Sequence, residues 1–362
     1  MTGTLVGPSS AADRAFCDTI LPKVSRTFAI CIRLLPSHIE HPVLVAYLLC
    51  RIADTIEDTP DIPPPEKDRL FEHFGRCLEA AGPDAELLSA RFTDPVNDEQ
   101  LLAREADAVL REFRRLPPPQ QDAIRPWVQE MSSGMAEFVR RTEDGTHLAS
   151  LATVEELDRY CYYVAGTVGH LLTRLFRLHD SSADPERYDR LDALATSFGL
   201  GLQLTNIIKD VADDRRRGWS FVPRQLCDAV GIEPEELQDE SHRDEGRRVM
   251  RLLIEKAKGH LDDALRYSTT LPRRQYGIRL FCMSSLFFAV RTLHLAERDP
   301  RLLDPAHKVK ITRGQVYRTL ATARLIASSN LLVRAYFRHL AGAAWRRPLA
   351  EQAQLPPGSD RR

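Results

Sequence analysis

Several patterns that assign a function at sight are missing from this 362-residue chain. Its seven cysteines, Cys17, Cys31, Cys50, Cys77, Cys161, Cys227 and Cys282, show no CxxC pair and no other metal-ligand spacing. Several fall in apolar stretches, the pattern of reduced core thiols in a cytoplasmic protein. No run of about 18 uncharged apolar residues occurs, so no membrane span is expected. The sequence permits peripheral contact with a membrane surface. The opening MTGTLVGPSSAADRAF lacks the basic start and continuous apolar run of a signal peptide. A formal net charge of -1 gives no support for nucleic acid binding and leaves only local arginine clusters as phosphate binders. No segment alternates long enough for a sheet, no short-period repeat is present, and no GxGxxG follows a strand.

What is present is helical periodicity broken by proline. With 43% apolar residues the chain can bury a large core. Helices are expected over 41–59, 67–81, 98–116, 120–141, 153–178, 245–267, 274–297 and 312–340, with a short one inside 21–35 and a long one running through 203–217. The resulting fold class is all-α, a large helical bundle around a cavity. Ala165, Gly166 and Gly169 leave room for close approach by another helix or a ligand.

Two of these helices carry acidic strips. Asn206, Asp210 and Asp214 advance by four and line one face, while Tyr47, Arg51, Asp54 and Asp58 advance by 4, 3 and 4 on another, with Glu57 beside Asp58. Carboxylates spaced by one turn repel, and a hard divalent cation between their oxygens offsets that cost. An acidic solvated helix end explains either strip alone equally well. Two such strips as opposite walls of one cavity predict Mg²⁺ with a diphosphate.

At these residues the chain resembles the squalene and phytoene synthase family. The paired acidic motifs of that family look like Asp54-Thr-Ile-Glu-Asp58 and Asp210-Val-Ala-Asp-Asp214, and the resemblance extends over roughly 21–340. It implies the isoprenoid-synthase fold in one catalytic domain, set here at 16–341 between a flexible lead, 1–15, and a disordered tail, 342–362. Asp54, Asp58, Asp210 and Asp214 are then the expected metal ligands, with Glu57, Asp213 and Asn206 as further candidates. Ser25-Arg26-Thr27-Phe28 resembles the family's N-terminal diphosphate-binding motif. Arg51, Lys209 and Gln203 are candidates for the same substrate, although an ion pair within the helix accounts for Arg51 equally simply.

Tyr160 opens YCYYVAG, which resembles a family motif whose first tyrosine is implicated in proton handling and cation stabilisation. Tyr47 matches an active-site tyrosine one turn before Arg51, and Tyr163 sits three residues beyond Tyr160. Phe28, Val164, Val168 and Phe281 are candidate walls of a dry cavity, where excluded water cannot quench a carbocation. Simple core packing is the competing role for each.

The resemblance further implies that two farnesyl diphosphates join head to head as presqualene diphosphate, which NADPH then reduces to squalene. Relatives finish without hydride, as dehydrosqualene, phytoene or presqualene diphosphate synthases. A noncatalytic isoprenoid-binding protein is the remaining class. Phe281-Cys282 and His307-Lys-Val-Lys-Ile-Thr-Arg-Gly314 resemble squalene-forming members, making Lys310 and Arg313 candidate NADPH contacts. Three positions depart from those members. Trp219 stands where animal-type members carry an arginine implicated in the second step, Thr312 replaces a basic residue, and Leu286 replaces a glutamine. Arg215, Arg216 and Arg217 are candidates to compensate for the first.

Overall fold

The computed structural model describes residues 10–140, 149–180, 182–216, 218–342 and 345. The chain folds as an all-α bundle. Helix α1 (Ser10–Val24) is followed by α2 (Arg26–Ile32), α3 (Ser37–Asp58) and α4 (Pro64–Cys77). Next come α5 (Glu86–Arg91), α6 (Asp98–Arg104), α7 (Ala106–Arg115) and α8 (Pro118–Arg140). A long bent element runs as α9 (Val154–Cys161), a π-helical turn (Tyr162–Gly166) and α10 (Thr167–Leu178). The remaining helices are α11 (Pro185–Arg216), α12 (Arg224–Asp228), α13 (Arg243–Thr270), α14 (Tyr276–Arg298), α15 (Arg313–Ile326) and α16 (Asn330–Ala341).

Helix boundaries depart from the periodicity where tertiary contacts intervene. Ser10–Val24 is helical although its first residues lie in the stretch read as a loose lead. The reason is Asp13, which is buried and takes Arg111 and Arg115 of α7, each at 2.7 Å. The helix expected over 98–116 breaks at Glu105 into α6 and α7. The helix expected over 312–340 is two, because Ser329 caps α16 and the wholly buried Arg279 captures the chain between them. Arg279 donates to the carbonyls of Ala327 (2.8 Å), Ser268 (3.1 Å) and Leu271 (2.6 Å) and to Asn330 Oδ1 (2.6 Å). One guanidinium thereby satisfies the carbonyl ends of both α13 and α15. Two-residue strands β1 (Ala149–Ser150) and β2 (Trp219–Ser220) pair in parallel, a ladder too short to leave an alternating signal.

The bundle centres on α11, packed between α10 and α13. A Cβ on Gly169 would lie 2.2 Å from the Ala195 carbonyl oxygen, and one on Gly199 would lie 2.2 Å from that of Ala165. Ala165 of the π-helical turn and Gly169 of α10 are therefore accounted for by backbone-close packing on α11. Helix α14 is long and apolar enough to cross a membrane, but 83% of its apolar window is buried in the bundle. Phe281, Met283 and Phe287 form part of that core.

Candidate functional site

Pro60 and Pro63 to Pro65 follow α3 closely, so its acidic end is also its C-terminal turn. Arg51 Nη1 lies 3.4 Å from Asp54 Oδ2, and Nη2 lies 3.3 Å from Glu99 of α6. Burial pushes the Asp54 carboxyl up to about 6, against the pull of Arg51 and with the help of Asp58. Asp58 is exposed, while Glu57 turns inward and is buried.

Glu57 Oε2 accepts a 3.2 Å hydrogen bond from the Tyr160 hydroxyl, and its backbone carbonyl accepts one from Lys67 Nζ. Burial, with Asp58 and Asp54 adding to it, holds the Glu57 carboxyl well above the usual range. The Tyr160 ring is held edge-on by Phe138 at 5.3 Å and stacked by Phe221 at 4.7 Å. Trp219 continues the stack, 5.8 Å from Phe221 at 10°. Phe221 and Trp219 follow directly on α11, and both border a small cavity with Asp214. Tyr160 thus connects the end of the first acidic helix to the segment that leaves the second.

On α11, Gln203 and Asn206 are half-buried and Asp214 is buried. Lys209 bonds its neighbour Asp210. Lys308 reaches across from the segment before α15, with Nζ 2.8 Å from Asp210 Oδ1 and also paired to Asp213. That bond, opposed by burial and aided by Arg216, holds the Asp213 carboxyl below its ordinary value.

The N-terminal motif packs against α3. Ser25 caps α2, its Oγ accepting from Phe28 N at 3.3 Å, and the Phe28 ring lies 5.5 Å from that of Tyr47. Burial pushes the Tyr47 phenol up to about 12, while Arg51 and a hydrogen bond with Ser25 pull it down. Arg26 is exposed at the first position of α2. Tyr163 lies against Gly134, where a Cβ would come within 2.0 Å of its ring. Val164 and Val168 are half-buried, whereas Phe281 is buried with its ring edge-on to Phe176 at 6.2 Å. Arg217 lies outside the described residues.

Lys310 and Arg313 are exposed, and among the described residues neither forms an ion pair. Sequence reasoning passed over Lys308, two positions earlier, which does. It also passed over Lys67, Glu99 and Phe221, since none belongs to a chemical motif and each is set by a contact distant in sequence. The aromatic spacing Trp219-Ser-Phe221 was the one available signal for Phe221.

The donors fit a hard cation. Carboxylate and amide oxygens, with no thiolate or imidazole among them, suit Mg²⁺, which keeps several waters and completes its shell with substrate phosphate. Among the described residues no three His, Cys, Asp or Glu side chains form a ready-made cage.

A family model described as squalene/phytoene synthase matches residues 21–315. The chain is 31% identical over 304 residues to the squalene synthase of Eremothecium gossypii, covering 84% of this chain and 66% of that protein. It is 32% identical over 326 residues to that of Candida albicans, covering 87% and 67% respectively. It therefore spans about two thirds of the length of these curated relatives. A solved complex of TcSQS with the ligand BPH1237 superposes with a TM-score of 0.76 at 28% identity, covering 94% of each chain. A ligand-bound dehydrosqualene synthase shares the fold at a TM-score of 0.61 and 20% identity, covering 88% of this chain and 98% of its own.

Proposed function

Because the chain belongs to the squalene/phytoene synthase family, we propose that it joins two farnesyl diphosphates head to head and reduces the product to squalene. The first half forms presqualene diphosphate, releasing one diphosphate and one proton. The second loses the remaining diphosphate and gains a hydride. Bound Mg²⁺ would neutralise charge growing on each leaving diphosphate. NADPH would supply the hydride.

The chain's own residues divide the rest. Asp54, Asp58, Asp210 and Asp214 would hold the metal, with Glu57, Asp213 and Asn206 beside them. Arg51, Arg26, Ser25, Lys209 and Gln203 would bind phosphate oxygens. The arrangement that supports this reading most is Tyr160, buried on Glu57 and stacked on Phe221. A phenol there can pass a proton at its hydroxyl while its face stabilises a nearby cation. Val164, Val168 and Phe28, each half-buried, would keep water from the intermediates.

One feature favours a second reading, release of dehydrosqualene or presqualene diphosphate without reduction. Trp219 puts an aromatic ring in the stack, at the place where animal-type squalene-forming members carry an arginine. Incubation with farnesyl diphosphate and Mg²⁺, with and without NADPH, separates the two. Squalene formed only with NADPH is expected, and presqualene diphosphate accumulating despite NADPH would overturn the reading. Asp54→Asn should abolish most turnover, and near-normal activity would count against its metal role.

A further inference from the structure

Seven large apolar side chains are well exposed among the described residues, and five of them, Tyr276, Tyr317, Leu325, Leu331 and Leu332, lie on α15, α16 or the first turn of α14. Leu325 is 84% exposed and Leu331 77%, on either side of the turn joining α15 to α16. Their absence from the core is not a shortage of core positions. The inner faces are already filled by Thr319, Leu320 and Ala323 on α15 and by Val333, Phe337 and Leu340 on α16.

Charge is segregated onto the same piece of chain. Residues 305–342 contain Lys308, Lys310, Arg313, Arg318, Arg324, Arg334 and Arg338 and no Asp or Glu, in a protein whose formal net charge is -1. Lys308 is spoken for by Asp210 and Asp213. Among the described residues Arg318 and Arg334 make only long bonds, to the Gly314 carbonyl at 3.4 Å and Thr269 Oγ1 at 3.3 Å. Tyr317, Ala321, Arg324, Leu325 and Ser328 recur at helical spacing and are all exposed, so one outer strip carries Arg324 between the apolar Tyr317 and Leu325. Tyr276 borders it, its hydroxyl donating to the Arg324 carbonyl at 2.7 Å with the ring left partly exposed.

We propose that the α15–α16 corner docks on an anionic lipid surface. Leu325, Leu331 and Leu332 enter the boundary between headgroups and acyl chains, and Arg324, Arg334 and their neighbours pair with lipid phosphates. Tyr276 and Tyr317 suit the same depth, each with an apolar ring and a polar tip. The contact is peripheral, because both helices keep their inner faces packed on the buried α14. Charge selects this occupant over the others. A second copy meeting the same patch would set arginines against arginines with no carboxylate between them. Nucleic acid would use the cations but leave three protruding leucines in water.

Flotation of the intact chain with vesicles of phosphatidylcholine, with or without phosphatidylglycerol, tests it. Binding is expected to the anionic vesicles and to weaken with added salt. Leu325→Ser/Leu331→Ser/Leu332→Ser and Arg324→Gln/Arg334→Gln should each weaken it by about tenfold or more. Both variants should melt like the parent, since they remove exposed groups. Indifference to phosphatidylglycerol, or variants that float like the parent, would overturn the proposal. Self-association lost in the leucine variant without vesicle binding would assign the face to a second copy. Binding to duplex DNA but not to vesicles would assign it to nucleic acid.

Discussion

Under the proposed metal role of Asp210 and Asp213, Lys308 occupies carboxylates that the cation would need, so replacing it should change metal affinity in a direction opposite to that of most active-site substitutions. At 2.8 Å its attraction to Asp210 is about 6 kcal/mol for an effective dielectric of about 20. The Lys308 side chain is 38% exposed, however, and solvent-screened pairs of this kind measure about 0.2–1 kcal/mol. With Asp213 as a second partner, Lys308→Met should destabilise the substrate-free protein by about 0.5–2 kcal/mol. A hydrogen bond to Lys308 is the main cause of the lowered Asp213 pKa. Burial opposes the charge on Lys308, but Asp210 and Asp213 more than offset it and its pKa is raised. A raised ammonium stabilises below its unfolded pKa and loses this as pH rises through the folded value. A lowered carboxylate stabilises above its unfolded pKa and loses this as pH falls through the folded value. Both contributions therefore span neutral pH, and the gap between parent and variant should narrow below about pH 4. Because Mg²⁺ no longer has to displace the ammonium, its affinity for the substrate-free variant should rise about fivefold for each ~1 kcal/mol of pairing removed. Calorimetric Mg²⁺ titration and urea unfolding read the two effects. Unchanged or weaker Mg²⁺ binding by the variant would refute the competition.

Tyr160→Phe keeps the stack on Phe221 and removes only the hydroxyl. Turnover should fall on the order of 10² or more with stability within ~1 kcal/mol of the parent, and near-normal turnover in a folded variant would rule out the proton role. Gly199→Ala gains about 1 kcal/mol of helix propensity but drives a Cβ into the Ala165 backbone. A net loss of about 1–3 kcal/mol in urea unfolding is expected, and a stabilised variant would show that the α10–α11 seam yields. Arg279→Met strips three carbonyls and the Asn330 amide of their donor inside the core. It should cost about 3–5 kcal/mol, read as a lowered Tm, and a loss under ~1 kcal/mol would mean that other groups satisfy those carbonyls.

The helical class, the two acidic strips and the tyrosine-containing segment were legible in the sequence because each depends on spacing along one helix. Apolar periodicity marks a helix face wherever that face is buried, and residues three or four apart share it under any packing. Helix ends were less legible. Asp13 makes a helix of residues read as a lead only because Arg111 and Arg115 stand opposite, and Arg279 divides α15 from α16 from a different helix altogether. Ala165 and Gly169 announced close approach without naming the partner, and the partner is the backbone of α11. The candidate site followed the same rule. Asp54, Asp58, Asp210 and Asp214 are candidates by their spacing, whereas Lys308 and Phe221 gain their places from contacts with Asp210 and Tyr160. Sequence determined which groups each helix carries and on which face. Only the tertiary structure decided which groups meet, because a contact between distant segments is fixed by packing and leaves no period in the chain.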